Sequence, residues 1–195
     1  MRLVLASASP RRAELLTAAG FAFDAVAPQV DERALPGELP DDHVGRLAQA
    51  KAAAVASQYP QRAVVGADTV VVIDGLILGK PESDEVAVGM LRRLSGRSHD
   101  VLTGLCVRHA DRIRLAVERS TVTFAPITIR EIRAYVASGE PRDKAGAYAI
   151  QGVASRFVVA VTGSYSNVVG LPVATLYGLL RELGLTGGAS PHQAV

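Results

Sequence analysis

The chain has 195 residues, of which 49% are hydrophobic and 21% charged, and its 21 Lys and Arg nearly balance its 19 Asp and Glu. This composition predicts one well-buried domain and excludes a disordered chain. A net charge of +2, 5% aromatic residues and no tryptophan argue against a nucleic-acid partner. No apolar run approaches the roughly 18 to 20 residues of a membrane span, so no membrane partner is predicted.

The amino-terminal segment, together with the lack of a membrane span, predicts a cytoplasmic protein. Arg2 and a Ser-Pro-Arg-Arg turn stand where a signal peptide would carry its cleavage region. Cys106 is the only cysteine, so an internal disulfide is excluded. Its neighbours Leu105 and Val107 are apolar, which predicts a packed strand residue and not a nucleophile.

The first part of the chain predicts strands that alternate with helices. Ser9 suits an N-cap and Pro10 the first helical position, while Gly20 suits a helix end. In chain order, the predicted elements are a strand at 3–6, a helix from Ser9 to Gly20, a strand at 21–26 and a helix capped by Asp41 or Asp42 that passes Val55.

Hairpins dominate the middle of the chain. Asp74-Gly75 is a strong turn signal, and Thr128 with Glu131 matches a capping box. The predicted elements are strands at 63–73 and 76–78, a helix capped by Ser83 or Asp84 that ends at Gly96, strands at 100–108 and 113–124, a helix ending near Gly139, a polar stretch at 139–152, a strand at 157–161, a loop at 163–167 and a helix at 172–183.

These elements predict the α/β class, with a long mixed β-sheet flanked by helices, because hairpins exclude a purely parallel sheet. Residues 1–185 are predicted to form one domain. Residues 186–195 are predicted to be a disordered tail.

The turn before the first helix predicts an anion site. The N-terminus of a helix presents free N–H groups and partial positive charge, and Ser9, Arg11 and Arg12 stand there. Two guanidinium groups add bidentate phosphate recognition. The alternative is that both arginines are solvated residues of the first turn, although cations at that end oppose the helix dipole.

Asp68 is a carboxylate within an apolar predicted strand, where it is costly unless a metal, a cation or a hydrogen bond meets it. It is therefore a candidate site residue, with a structural ion pair or a solvated strand end as the alternative. Gly66 beside it lets a backbone or a ligand approach closely. Lys80, in Gly-Lys-Pro after the hairpin, places an amine within reach of a phosphate held near Asp68.

Three further polar features stay ambiguous from the residues alone. Asp31 and Glu32 are adjacent carboxylates of the kind that Mg²⁺ or Mn²⁺ takes, and are equally typical of solvated loop acids. Lys51, in an alanine-rich helix, has the pattern of an ordinary surface lysine. Gln151 lies in a polar segment that suits either the edge of a base or a plain connection.

Several well-known site patterns are missing from the sequence. It contains neither the Walker A pattern nor Gly-x-Gly-x-x-Gly, so phosphate binding requires another architecture. Gly-x-Ser-x-Gly is absent, which argues against an α/β-hydrolase, and the four histidines lack zinc-site spacing.

Six ordered blocks resemble the Maf family of nucleotide pyrophosphatases, over essentially the whole chain except the tail. They are 5–12 with 14–16, 66–71, 79–81, 94–96, 143–148 with 150–152, and 163–165 with 168–172. The resemblance implies a fold related to that of the inosine triphosphate pyrophosphatases, with a cleft between two lobes. It also implies a homodimer. Ala149 departs from the family, where glycine is often found, and Asn167 stands at a variable position to which the resemblance gives no role.

The resemblance also implies hydrolysis of a nucleoside triphosphate to a monophosphate and pyrophosphate. It makes Asp68 the general base for water and implies that Glu32 and Asp68 help place a divalent metal, Mg²⁺ or Mn²⁺. The residues implied to bind the triphosphate or its base are Ser9, Arg11, Arg12, Lys51, Thr69, Lys80 and Gln151.

Arg11, Thr69 and Gln151 match the dTTP/UTP-hydrolysing subgroup of the family, whereas the 7-methyl-GTP subgroup differs at Arg11 and Thr69. Pyrimidine triphosphates are therefore the expected substrates. The alternatives are a 7-methyl-GTP-type pyrophosphatase, or a regulatory binding protein of cell division and septum formation that performs no turnover.

Overall fold

The sheet of this protein is built from long apolar strands, as the sequence predicts. The computed structural model describes residues 1–186. The strands are β1 (Arg2–Ala6), β2 (Ala22–Val26), β3 (Val64–Ile73), β4 (Leu76–Leu78), β5 (Ser98–His109), β6 (Arg112–Phe124) and β7 (Val158–Thr162). The helices are α1 (Pro10–Ala18), α2 (Pro40–Ala56), α3 (Asp84–Leu94), α4 (Ile129–Ala137), α5 (Tyr165–Val169) and α6 (Val173–Glu182), with 3₁₀ helices at Glu140–Asp143, Ala145–Ala147 and Val153–Phe157.

The seven strands form one mixed sheet in the order β2-β1-β3-β5-β6-β7, with β4 beside β3. The pairs of β1 with β2 and with β3 are parallel, and all the others are antiparallel. Helices flank this sheet, so the predicted fold class is confirmed.

One edge of β3 is left open in the middle of the sheet. β1 pairs with β3 only as far as Ala6 opposite Gly66, and β4 begins its pairing at Val71. Within residues 1–186, residues 67–70 therefore lack a strand partner on that side, while β5 pairs with them on the other. The loop that leaves β1 passes this gap, because β1 and β3 run in the same direction.

Helix α2 packs directly against the backbone of the sheet. A Cβ added to Gly66 would meet the Ala48 carbonyl and lie 2.7 Å from the Ala52 nitrogen, and one added to Gly104 would meet the Val44 carbonyl. These two glycines therefore set how closely α2 approaches, as predicted for Gly66. The consequence is that Lys51, on the same helix, reaches the open edge of β3.

Two large core clusters support the expectation of two lobes. One joins α1 and α6 to the parallel strands through residues such as Leu16, Val65 and Leu176. The other joins α3 and α4 to the far ends of β5 and β6, with Phe124 and Tyr135 among its largest side chains. The ends of β1 and β3 lie between them.

Several boundaries differ from the sequence prediction by one or two residues, and three of the differences concern how an element begins. α2 begins at Pro40 with Leu39 as N-cap, so the prediction of an Asp41 or Asp42 cap was wrong; both acids lie in the first turn, where they favour the helix dipole. The predicted loop at 163–167 was also wrong, since Tyr165–Val169 forms the short helix α5, capped by the Ser164 side chain. β7 begins at Val158 because Phe157 ends a 3₁₀ helix.

The predicted tail at 186–195 lies, apart from Thr186, outside the described residues. Within the described part of the chain, no helix has the length and apolar composition needed to cross a membrane. Cys106 is buried in β5, and burial raises its pKa to about 11, as expected for a packed, unreactive thiol.

Buried His99 predicts a loss of stability in mild acid. Burial lowers its pKa to about 4 from an ordinary value of 6.5, so the unfolded chain takes up the proton first. The folded state therefore loses up to roughly 3 kcal/mol as pH falls from about 6.5 to 4. We expect thermal unfolding measured across this pH range to show that slope, and to show less of it in His99→Gln. An equal slope in both proteins would contradict the assignment to His99.

Candidate active site

A cleft of about 770 Å³ opens at the unpaired edge of β3, within the size range of small-molecule sites. It collects every site residue predicted from the sequence. These are Ser9, Arg11, Arg12, Glu32, Lys51, Asp68, Thr69, Lys80 and Gln151.

The start of α1 forms one wall of the cleft. Ser9 occupies the predicted N-cap position and Pro10 the first turn, but the Ser9 side chain makes no capping hydrogen bond. The first-turn N–H groups are therefore not satisfied by their own cap. The Ser7 hydroxyl accepts a hydrogen bond from the Ser9 backbone at 3.1 Å and holds the turn. This end of α1 can meet an anion.

Arg12 is buried, with 9% of its surface exposed, and ties three segments together. Its guanidinium donates to the Gly170 carbonyl at 2.8 Å, the Ser7 hydroxyl at 3.2 Å and the Thr69 hydroxyl at 3.1 Å. Burial lowers its pKa, while the charge of Asp68 acts in the opposite direction. Since a guanidinium has five N–H donors, Arg12 keeps hydrogens that can face a phosphate.

Thr69 and Asp68 are neighbours in β3 and point to opposite faces of the sheet. The Thr69 hydroxyl lies 2.9 Å from that of Thr103, its partner in β5, and the Thr103 hydroxyl donates to the Asn167 carbonyl at 3.3 Å. Asn167 is fully buried and donates to the Val101 carbonyl. Thr103 was not predicted from the sequence and Asn167 was given no role, because neither residue has a sequence pattern that marks this contact between β5 and α5.

Asp68 and Glu32 converge on one lysine. The Lys51 ammonium lies 2.6 Å from a carboxylate oxygen of Asp68 and 2.6 Å from one of Glu32. Lys51 and Asp68 are buried, whereas Lys80 is exposed and lies 3.9 Å from Glu32. The structure thus brings these four residues together, and Lys51 is no ordinary surface lysine.

The electrostatics of this cluster keep the Glu32 carboxylate charged. Partial burial acts to raise its pKa, but the hydrogen bond and charge of Lys51, with Lys80 and Arg12, outweigh that effect and lower the pKa. Among the predicted site residues, four are cationic and two are anionic, so the cleft has an excess of positive charge that suits a polyanion.

The carboxylates of Glu32 and Asp68 also fit a divalent cation. Both approach one point that a cationic nitrogen occupies, and oxygen donors are what Mg²⁺ and Mn²⁺ prefer. Across residues 1–186, no group of three or more His, Cys, Asp or Glu side chains is placed to hold a metal. Any ion here would need phosphate oxygens and water to complete its shell, as Mg²⁺ does in nucleotide sites.

Glu38 anchors the segment that carries Glu32, the connection between β2 and α2. Although it lies in a loop, its side chain is only 7% exposed. It accepts hydrogen bonds from Arg46 at 2.5 and 2.8 Å, from the Leu35 backbone at 3.1 Å, and contacts His43 Nδ1 at 2.9 Å. The Arg46 hydrogen bond lowers the pKa of Glu38 more than any other contact, so the anchor is charged at neutral pH.

Replacing Glu38 should displace Glu32 while leaving the Glu32 side chain itself unchanged. We expect Glu38→Gln to reduce turnover in the assay described below by about 10- to 100-fold, since small misplacements of a site group cost that much. The matched control is Asp31→Asn, which breaks an exposed ion pair with Arg33 in the same segment and should have little effect. Equal activities in the two variants would show that the anchor does not position Glu32.

The opposite wall comes from the second lobe. Arg11 forms an ion pair with Asp143 at 3.1 Å across the mouth of the cleft. Glu140 fixes the segment behind this pair, because it accepts from the Tyr135 hydroxyl at 2.8 Å and the Val153 backbone at 3.0 Å. Gln151, two residues before Val153, is exposed and lines the cleft.

Comparisons with known proteins match nearly the whole chain. A family model described as Maf-like protein matches residues 2–183. A protein of Symbiobacterium thermophilum named dTTP/UTP pyrophosphatase is 49% identical over 191 residues, covering 96% of this chain and 98% of its own. One of Anaeromyxobacter dehalogenans with the same name is 54% identical over 187 residues, covering 94% of each chain.

Among solved structures, the Staphylococcus aureus Ham1 protein is similar in fold. The TM-score is 0.53 at 13% identity, over 94% of this chain and 100% of that one. At that identity the likeness concerns the fold alone. The family model, the two relatives and the residues collected in the cleft agree, and the chain belongs to the Maf family.

Proposed function

We propose that this protein hydrolyses nucleoside triphosphates between the α- and β-phosphates, with dTTP and UTP as preferred substrates. The observation that carries the proposal is the Asp68 carboxylate, held by Lys51 in a cleft rich in cations. The name shared by the relatives, dTTP/UTP pyrophosphatase, supports the same activity.

In this proposal, the cations bind the triphosphate. The free N–H groups of α1, the remaining hydrogens of Arg12, and the Lys51 and Lys80 ammonium groups take its oxygens. Thr69 acts mainly through Arg12, because its hydroxyl is bonded to that guanidinium. Lys80, the most exposed of these cations, suits the terminal phosphates.

Asp68 orients a water molecule and accepts its proton. The water oxygen attacks the α-phosphorus, the bond from that phosphorus to the bridging oxygen breaks, and pyrophosphate leaves. Lys51 holds Asp68 in place before substrate binds and stabilises charge on the leaving group afterwards. Positioning and electrostatics supply most of the rate in reactions of this type.

A divalent cation, Mg²⁺ or Mn²⁺, would be held by Glu32 and Asp68 together with phosphate oxygens. When bound, it supplies neutralisation of the phosphate charge. Lys51, which pairs with both carboxylates here, would then be free to bind a phosphate oxygen.

The base is recognised by Arg11 and Gln151 at the outer part of the cleft, where both residues line the wall. A polar pocket of this kind rejects bases that leave its groups unpaired. Cytoplasmic location and a homodimer complete the proposal. The 7-methyl-GTP and septum-related alternatives gain no support from the described residues.

The test is pyrophosphate release from dTTP, UTP, CTP, GTP, ATP and 7-methyl-GTP, each with Mg²⁺ or Mn²⁺. We expect metal-dependent release that is fastest with dTTP and UTP. Faster release from GTP or 7-methyl-GTP would sink the pyrimidine preference. Nucleotide binding without release from any substrate would favour the regulatory alternative.

A further inference from the structure

We infer that Asp143, held between Arg11 and Lys144, recognises the imide edge of uracil and thymine. The inference rests on the proposed function and deepens it, because it assigns base selection to two residues, Asp143 and Lys144, that have no assigned role. The three side chains form a row at the mouth of the cleft and are called the edge triad below.

The edge triad places one acceptor between two donors. Arg11 donates to Asp143 Oδ2 at 3.1 Å, and the Lys144 ammonium donates to Asp143 Oδ1 at 2.5 Å. The Asp143 side chain is 62% exposed, so the carboxylate is open to a ligand, while Arg11 and Lys144 are largely covered. Each carboxylate oxygen retains further lone pairs.

The triad is fixed from behind. Lys144 also donates to the Glu140 carbonyl at 2.8 Å, and the Glu140 carboxylate is held by Tyr135 and by the Val153 backbone. Partial burial acts to raise the pKa of Asp143, but its contacts with Lys144 and Arg11 lower it overall. Asp143 is therefore an ionised acceptor at neutral pH.

Uracil and thymine present a matching pattern. Their edge has a carbonyl oxygen on each side of N3–H, which is acceptor, donor, acceptor, and the triad offers donor, acceptor, donor. Cytosine has an unprotonated N3, which would face the Asp143 carboxylate without a hydrogen, and guanine and adenine also mismatch. Unpaired polar groups of this kind are what reject wrong substrates.

The triad lies where a base can reach it. Arg11 is the neighbour of Arg12 in the first turn of α1, so a nucleotide with its phosphates at Arg12 and Lys51 has its base near this mouth. Ala145 and Ile150 line the same cleft close to the triad in sequence, and they offer apolar surface to the faces of a ring.

The test compares UTP with N3-methyl-UTP, which keeps both carbonyl oxygens and lacks the N3 hydrogen. For the wild-type protein we expect kcat/KM for pyrophosphate release to favour UTP by at least about tenfold, the effect of one lost hydrogen bond with its unpaired partner. In Asp143→Ala the ratio should approach one. Asp143→Asn keeps an acceptor oxygen and should restore part of the preference.

The matched control is Asp84→Asn. Asp84 pairs with Arg142 of the same segment at 3.4 Å and does not line the cleft, so the wild-type ratio should persist. If wild-type protein released pyrophosphate from both nucleotides at equal rates, or if Asp143→Ala kept the preference, the edge triad would be overturned while the proposed function stood. If the wild-type protein released no pyrophosphate from unmodified UTP and dTTP, the proposed function would be contradicted and this inference with it.

Discussion

Asp68→Asn should abolish most pyrophosphate release from dTTP and UTP. The substitution keeps the shape of the side chain and a hydrogen-bond acceptor for Lys51, but removes the group that takes the proton of the attacking water. General-base catalysis contributes about 10²- to 10⁴-fold, so we expect kcat to fall by that factor. Substrate binding should fall far less, because Arg12 and Lys80 remain. The measurement is steady-state pyrophosphate release with saturating metal.

A thermal unfolding scan of Asp68→Asn tests whether the variant loses activity only because it unfolds. Removing the Asp68 charge leaves Lys51 paired with Glu32 alone, which should lower stability modestly and not prevent folding. Near wild-type turnover by a folded Asp68→Asn protein would exclude Asp68 as the base. Loss of activity through unfolding would be seen directly in the scan.

Gly66→Ala should produce a large loss of stability, because the added methyl group meets the backbone of α2. The new Cβ would overlap the Ala48 carbonyl and lie 2.7 Å from the Ala52 nitrogen, and both are backbone atoms that cannot rotate away. Helix α2 must therefore shift, at a cost of about 3 kcal/mol or more. Because Lys51 lies between those two contacts in sequence, activity should fall as well. Denaturant unfolding monitored by circular dichroism measures the first effect.

Gly89→Ala is the matched control. Gly89 lies exposed in α3, away from the cleft, and a Cβ there would have no neighbour within 4 Å among the residues that the structure describes. Alanine is the better helix former, so this change should stabilise the protein by about 1 kcal/mol and leave turnover unchanged. Equal stabilities for the two alanine variants would contradict the close approach of α2 to β3.

Local signals predicted the fold well because most elements are marked within a few residues. The Asp74-Gly75 turn, the Ser83 cap and the capping box of Thr128 with Glu131 all occur as predicted. α5 was missed because five residues give too little periodicity to separate a short helix from a polar loop. The start of α2 was misplaced because Pro40 and two acids compete as start signals.

Some site residues could be predicted from their local sequence, some only from the family resemblance, and some not at all. Asp68 and Arg12 are conspicuous from local context alone, whereas Glu32 and Lys51 gained a role only through the family resemblance. Glu38 could not have been found, since an acid in a loop is ordinary until Arg46 and His43 are brought to it by α2. Long-range contacts of this kind leave no periodic trace in a single sequence.

The opposite orientation of Asp68 and Thr69 has a mechanical consequence. One central strand carries both the residue that meets α2 and the residue that meets Arg12, and nine residue pairs fasten that strand to β5. The contact with α2 and the contact with Arg12 are therefore held at a fixed separation by this strand, and these two sides of the cleft cannot close like a hinge on a ligand. Any tightening around a nucleotide must come from the segments outside the sheet, which carry Glu32 on one side and Asp143 on the other.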